Sequence, residues 1–330
     1  MDKNSAGLFS IKSSEKICSK TILYAEEQAL MQPWVEMECY QLSRGSQVTQ
    51  MECLDFGNHH IVRETQLATV QKQGVMPSNF CTISYCTPDQ KFRFSEFNAE
   101  SDATLFFMPE NTEFDIYVPE GVQSTYISMN QDDFLNIARV INPAEWEQPP
   151  QQLAGLVTAQ KGAIKEILNS CLEAAELNGS ASPFLETDEM RSMLLKNIVQ
   201  IAAFSEGATQ PDCTEKRQRF FAICKRARAF VEETLAADIV PTIVDICQFL
   251  GVSERTLQYA FHAYVDMPPN AYLRLCRLNR VQAILRASAP SSVTVTEVAM
   301  RFGFFHLGRF ALDYRQLFNE TPSQTLSLSC

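Results

Sequence analysis

The sequence predicts an α+β chain of two domains. A β-rich N-terminal domain of cupin-like or jelly-roll type ends in helices, and an all-α domain of two helix-turn-helix units joined by a long helix follows it. Three observations carry this expectation. The 330 residues exceed what one hydrophobic core usually supports and suit two. Near residue 130 the apolar pattern changes from short strand-like runs to intervals of three and four, as strands give way to helices. A unit that opens at Gly251 recurs at Gly303, the mark of an internal repeat.

Composition sets the outer limits. With 45% apolar and 20% charged residues, the chain can bury sizeable cores and is not a disordered protein. Its eleven cysteines are odd in number and scattered, with no two-residue spacing, so they read as reduced thiols. No apolar leader follows Met1 and no apolar run approaches 18 residues. A cytoplasmic protein with no membrane span is expected.

In the first domain, β-branched and aromatic residues fill runs such as Phe80–Tyr85, Phe92–Phe94, Thr104–Met108, Phe114–Val118 and Thr125–Ser128. Pro88-Asp89, Pro109-Glu110-Asn111 and Pro119-Glu120-Gly121 punctuate them. Six to nine short antiparallel strands follow from this spacing, in a sandwich or barrel. Leu153, Leu156, Ile164, Leu168 and Leu172 then predict a helix over about 151–177. Met190, Met193, Leu194, Ile198 and Ile201 predict another over 187–205, starting at Thr187. The first domain is thus 1–205, and the polar Gly/Pro stretch 206–214 is the linker to a second domain at 215–330.

Charge separates the two parts. The whole chain carries 28 basic and 39 acidic residues, a net −11, which by itself argues against nucleic acid as partner. Residues 1–210 hold −14 of that, whereas 211–330 are +3, and 12 of their 14 cations are Arg. Arg suits the bidentate recognition of phosphate and guanine.

Each copy of the repeat has the parts of a helix-turn-helix. In the first, Thr242 can cap a helix with Asp245 three residues on, Gly251 suits the left-handed end, and Ser253 can cap the next helix. In the second, Thr294 or Thr296 starts a helix that Gly303 ends. Between them, Pro269 opens a run through Arg286 that spans roughly 27 Å as a helix. That rod is long enough to set two reading helices about one DNA turn, ~34 Å, apart.

Gly303-Phe304, Phe310, Tyr314, Phe318 and Thr321-Pro322-Ser323, with Arg277-Leu278-Asn279 before them, resemble the AraC/XylS family of transcription regulators over roughly 215–327. Arg255-Thr256-Leu257-Gln258 and Gly303-Phe304 with His306-Leu307-Gly308 are most similar to the ethanolamine-operon regulators of that family. The resemblance implies that Arg255, Gln258 and Tyr259 read bases from the first unit, and His306, Leu307 and Arg309 from the second. A second unit that senses mainly DNA shape is the other reading. Ser253, Lys225, Arg274, Arg277, Arg301 and Arg315 would contact phosphates, although an Arg on the linking helix, Arg280 included, has the alternative of an internal ion pair.

Other motifs lead nowhere. His59-His60 follows Gly57-Asn58 and is expected in an exposed turn. With four His in the chain and two of them in the repeat, no three-His metal site is expected in the first domain. No nucleophile lies beside a base, so neither a catalytic site nor a cofactor is expected. Phe92, Phe94, Phe106, Phe107, Phe114 and Tyr117 could line a small-molecule cavity.

The resemblance further implies a β domain that binds a small effector of unknown identity, a homodimer formed through its last helices, promoter DNA as partner, and activation through RNA polymerase. Two alternatives stay open. One is a regulator without an effector, controlled by a protein partner; the other is an enzyme-like β domain fused to a DNA-binding module.

Overall fold

A computed structural model describes residues 17–55, 59–95, 97–98, 104–178, 188–205, 208–209, 215–237 and 239–328. The order begins β1 (Ile17–Ile22), α1 (Ala25–Leu30), β2 (Glu36–Gln41), β3 (Thr49–Asp55), β4 (His59–Gln66), β5 (Val70–Val75), β6 (Phe80–Cys86), β7 (Arg93–Phe94), β8 (Phe97–Asn98), β9 (Thr104–Met108), β10 (Glu113–Val118) and β11 (Gln123–Asn130). It continues with α2 (Gln131–Ile141), α3 (Pro143–Trp146), β12 (Ala154–Val157), α4 (Lys161–Asn178), α5 (Asp188–Ala203) and β13 (Ala208–Thr209). The remainder is helical: α6 (Glu215–Ala236), α7 (Ile243–Leu250), α8 (Glu254–Val265), α9 (Pro269–Ala287), α10 (Val295–Arg301), α11 (Leu307–Phe318) and α12 (Pro322–Leu328).

The strands form two antiparallel sheets. A large one runs β1-β3-β4-β11-β6-β9-β12-β13 and a small one β2-β5-β10-β7-β8. Because side chains alternate along a strand, each sheet buries two different sets. On the large sheet, Leu54, Ile61, Ile83, Phe107 and Ile127 face outward under helices, where they meet Phe134, Trp146, Leu168 and Ile198. Phe107 stacks on Phe134 at 5.2 Å and meets Trp146 edge-on at 5.3 Å. Between the sheets lie Val70, Phe92, Phe94, Phe106, Met108, Phe114 and Val118. The far face of the small sheet contributes Tyr40 and Tyr117 to the core of the helical domain, beside Val231, Phe261, Tyr264 and Tyr272. The protein is therefore four layers: helices, large sheet, small sheet, helical domain.

Four expectations need correction. Among the described residues, eleven strands rather than six to nine precede Asn130. Leu156, expected in a helix, belongs to strand β12, which pairs with β9 through Leu156 and Leu105. Tertiary pairing with an open sheet edge overrides the local spacing there, and the helix begins only at Lys161. Part of the expected linker adds to the same edge, since Ala208 and Thr209 pair with Leu156 and Gly155; most of 206–214 lies outside the described residues, as does Thr187. Finally, His59 and His60 do not form an exposed turn. They sit in β4, between β3 and β11, and are buried. His60 stacks on Trp34 at 3.9 Å, and burial lowers its pKa against the pull of Asp55.

Candidate nucleic-acid interface

Each helix-turn-helix is fixed by its ends. In the first, the Thr242 hydroxyl accepts from the Asp245 N–H at 3.2 Å, and the Asp245 carboxylate accepts from the Thr242 N–H at 2.8 Å, a complete capping box. Gly251, at φ 64°, ends α7 in the left-handed region. Ser253, two residues on, caps α8 by accepting from the Thr256 N–H at 3.2 Å. In the second, Thr294 caps α10 by accepting from Glu297 N–H at 3.1 Å, and Gly303 turns the chain at φ 74°. A Cβ on Gly303 would stand 2.9 Å from Val240 Cγ2, so both backbone and space require glycine here.

On α8, Leu257, Ala260 and Phe261 face the core, which leaves Arg255, Gln258 and Tyr259 exposed together. Arg255 donates to the Tyr259 hydroxyl at 3.0 Å and Gln258 to Glu254 at 3.3 Å. Both are exposed contacts within one helix, of the kind that contributes little to stability. On α11, His306 and Arg309 are exposed, while Leu307 is half-buried against the domain core. Arg309 meets Asp313 at 3.2 Å, and Asp313 also pairs with Arg274. One carboxylate thus ties the second reading helix to the linking helix.

The expected phosphate contacts divide. Arg301 and Arg315 are exposed, and Ser253 is at the helix cap. Three more have partners further away in the fold. Arg274 is held by Asp313, Arg277 donates to the Phe302 carbonyl at 3.2 Å and covers the Phe304 ring, and Lys225 pairs with Glu113 of the β domain. Arg280 lies 2.8 Å from Glu38, also across the domain boundary. Two features escaped the sequence reading. Phe305, 73% exposed, stands next to the second reading helix. The acidic β domain also holds cations of the helical domain through Glu38 with Arg228 and Glu27 with Arg286. The charge asymmetry signalled this second feature, since opposite charges on two parts of one chain can pair with each other.

The boundary also holds a buried polar cluster. Arg93 meets Asp115 at 2.6 Å and donates to the Tyr264 carbonyl at 3.1 Å. Tyr264 donates its hydroxyl to Asp115 and accepts from Gln71 at 2.6 Å; Tyr272 donates to Gln71 at 2.5 Å. Burial alone would raise the Asp115 pKa, but Arg93 and hydrogen bonds from Gln73 and Tyr264 outweigh it and hold the carboxyl below its usual range. Burial pushes the Tyr264 phenol well up, and Asp115 adds to this, so it stays a donor. Behind this cluster, between the sheets, is a cavity of about 70 Å³ lined by Phe92, Phe94, Phe106, Phe114 and Met108, with Lys72 and Glu64 at its polar side.

The helix-turn-helix domain family matches residues 246–327. Over 104 residues the chain is 36% identical to the XylDLEGF operon transcriptional activator 2 of Pseudomonas putida, covering 32% of this chain and 65% of that protein. Over 85 residues it is 38% identical to the probable thc operon regulatory protein of Rhodococcus erythropolis, 26% of each chain. The C-terminal domain is a helix-turn-helix domain. The chain matches only 26% and 31% of the length of the first curated relatives. Among solved structures, the AraC-like transcriptional activator CuxR is similar at 14% identity and a TM-score of 0.38, over 86% of this chain and 98% of that one. No described helix is long and apolar enough to cross a membrane.

Proposed function

We propose that the chain is a sequence-specific DNA-binding transcriptional regulator, and that it activates an operon in response to a small effector. One observation carries the reading: two capped helix-turn-helix units in tandem, each turning at a left-handed glycine and each offering exposed polar side chains on its second helix. Arg255 and Gln258 are suited to guanine and adenine, and Tyr259 to a base or phosphate. His306 and Arg309 serve the second half of the site, Arg309 in exchange for its contact with Asp313. Replacing Arg255 or Gln258 by Ala should weaken specific binding by about 1–3 kcal/mol per lost contact and relax preference at the matching base pair. Footprints and affinities equal to wild type in both variants would remove these residues from the interface.

The finer points belong to the same proposal. The cavity between the sheets is the effector site. The exposed Met193 on α5 and Phe204 just beyond it, each 58% exposed, supply an apolar face for a homodimer. Met193→Lys should shift the full chain toward monomer in sedimentation. Activation implies contact with RNA polymerase, in keeping with the activators it resembles, and a reporter behind the footprinted site should lose expression when the chain is deleted. The wording around Arg255 and Gly303 favours the ethanolamine-operon lineage, and the genes next to the footprint test that.

A further inference from the structure

The small sheet is one strand layer thick, and it separates the cavity from the helical domain. Along its strands each residue that lines the cavity alternates with one that grips the helices. Lys72 faces the cavity between Gln71 and Gln73, which face Tyr264. Phe114 and Ile116 face inward and flank Asp115; Phe94 faces inward beside Arg93. Met37 lines the cavity, whereas its neighbour Glu38 takes Arg228 and Arg280. Tyr264 ends the first reading helix and Tyr272 begins the linking helix. The gripping residues therefore hold the corner that orients the first unit relative to the second.

The size of the cavity turns this geometry into a device. An apolar cavity of about 150 Å³ admits benzene, and this one offers about 70 Å³. An occupant with a single ring must push its walls apart. The large sheet is backed by close-packed Phe107, Phe134, Trp146 and Ile198, which resist compression. The small sheet is backed, beside Tyr40 and Tyr117, by the side-chain hydrogen bonds of Arg93, Asp115 and Gln71, groups that have alternative partners in water. The small sheet is the wall that yields.

The polar side of the cavity selects the occupant. Glu64 Oε1 accepts from Gln32 at 2.9 Å and from Tyr126 at 3.0 Å, and Oε2 accepts from Lys72. The carboxylate is satisfied, while the Lys72 ammonium has three donors and one acceptor in the structure. A carboxylate ligand would add an uncompensated charge to a neutral buried pair; a hydroxyl or carbonyl oxygen would not.

We propose that a small apolar molecule with one uncharged oxygen acceptor binds beside Lys72, and that its bulk displaces the small sheet and loosens Asp115, Arg93 and Gln71 from Tyr264 and Tyr272. This rests on the regulator reading above for its purpose, but its test needs no DNA. In the full chain, Ser84→Phe places a ring in the cavity from the large sheet. Backbone hydrogen exchange over residues 260–276 should quicken on the order of tenfold. Asp115→Asn should quicken the same segment, and Ser84→Phe should add little to it in the double variant, because the two act on one contact. Should Ser84→Phe fail to fold, Ser84→Leu makes the same test with less bulk. Unchanged exchange in a folded cavity variant, or full additivity with Asp115→Asn, overturns the shared wall. As probe ligand, benzyl alcohol should raise the melting temperature more than benzoate does. The rise should vanish in Glu64→Gln/Lys72→Met, which removes both charges together. No rise, an equal rise with benzoate, or persistence in that variant overturns the ligand class. Failure of Arg255→Ala to alter a footprint bears on the DNA reading alone.

Discussion

At the scale of single residues, Asp115 is the group whose environment says most. Its depressed pKa means that its stabilising contribution is complete above the ordinary carboxylate value, about 3.9, and is lost as pH falls through the lower folded value. Glu38, where burial opposes but Arg280 and a hydrogen bond from Tyr40 prevail, shares the direction. Contacts between the domains should therefore fail on the acid side below about pH 4, seen as quickened exchange at Tyr264 before the large sheet opens. At neutral pH, Asp115→Asn leaves Arg93 buried without its charge partner and should cost about 3–5 kcal/mol, read by denaturant unfolding. None of this was legible in the sequence, because Asp115, Arg93 and Tyr264 lie on three different elements. The shared exposure of Arg255, Gln258 and Tyr259 was legible, since the repeat fixes which face of α8 is buried by Leu257 and Phe261. Arg274 and Arg277 were named without their partners: Asp313 and the Phe302 carbonyl come from the second unit, across the linking helix.

At the scale of elements, the turns were the most readable parts. A helix cap and a left-handed glycine are local chemistry, and Thr242, Gly251, Ser253 and Gly303 stand where that chemistry requires. The two glycines should nevertheless differ in what they tolerate. Gly251→Ala meets open space and should cost about 1–2 kcal/mol for the left-handed backbone alone. Gly303→Ala carries the same strain and a clash with Val240, so its melting temperature should fall further. Thr242→Ala should remove about 1 kcal/mol through the capping box. Strand β12 was not readable, because Leu153 and Leu156 fit a helical interval as well as a strand, and only the edge of β9 decides between them.

At the scale of the whole molecule, the acidic and basic halves act on each other. The sequence reading separated a −14 part from a +3 part; in the fold, Glu27, Glu38 and Glu113 hold Arg286, Arg228 with Arg280, and Lys225. The pairs of Lys225 and Arg280 are exposed and that of Arg286 is half-buried, so salt screens them, whereas Arg228 is buried. Raising ionic strength should quicken exchange along α9 at Arg280 and Arg286 while leaving the buried Arg93–Asp115 pair in place. A further tie between the layers is Asn279, whose side-chain amide both accepts from the Gln41 N–H and donates to the Gln41 carbonyl, each at 2.9 Å. Gln41 ends β2, the border strand of the small sheet. Were the helical domain to swing away, that border would present unpaired backbone groups to any neighbouring chain, which is how sheets of separate molecules join and precipitate. Asn279 thus keeps the Gln41 end of that border paired.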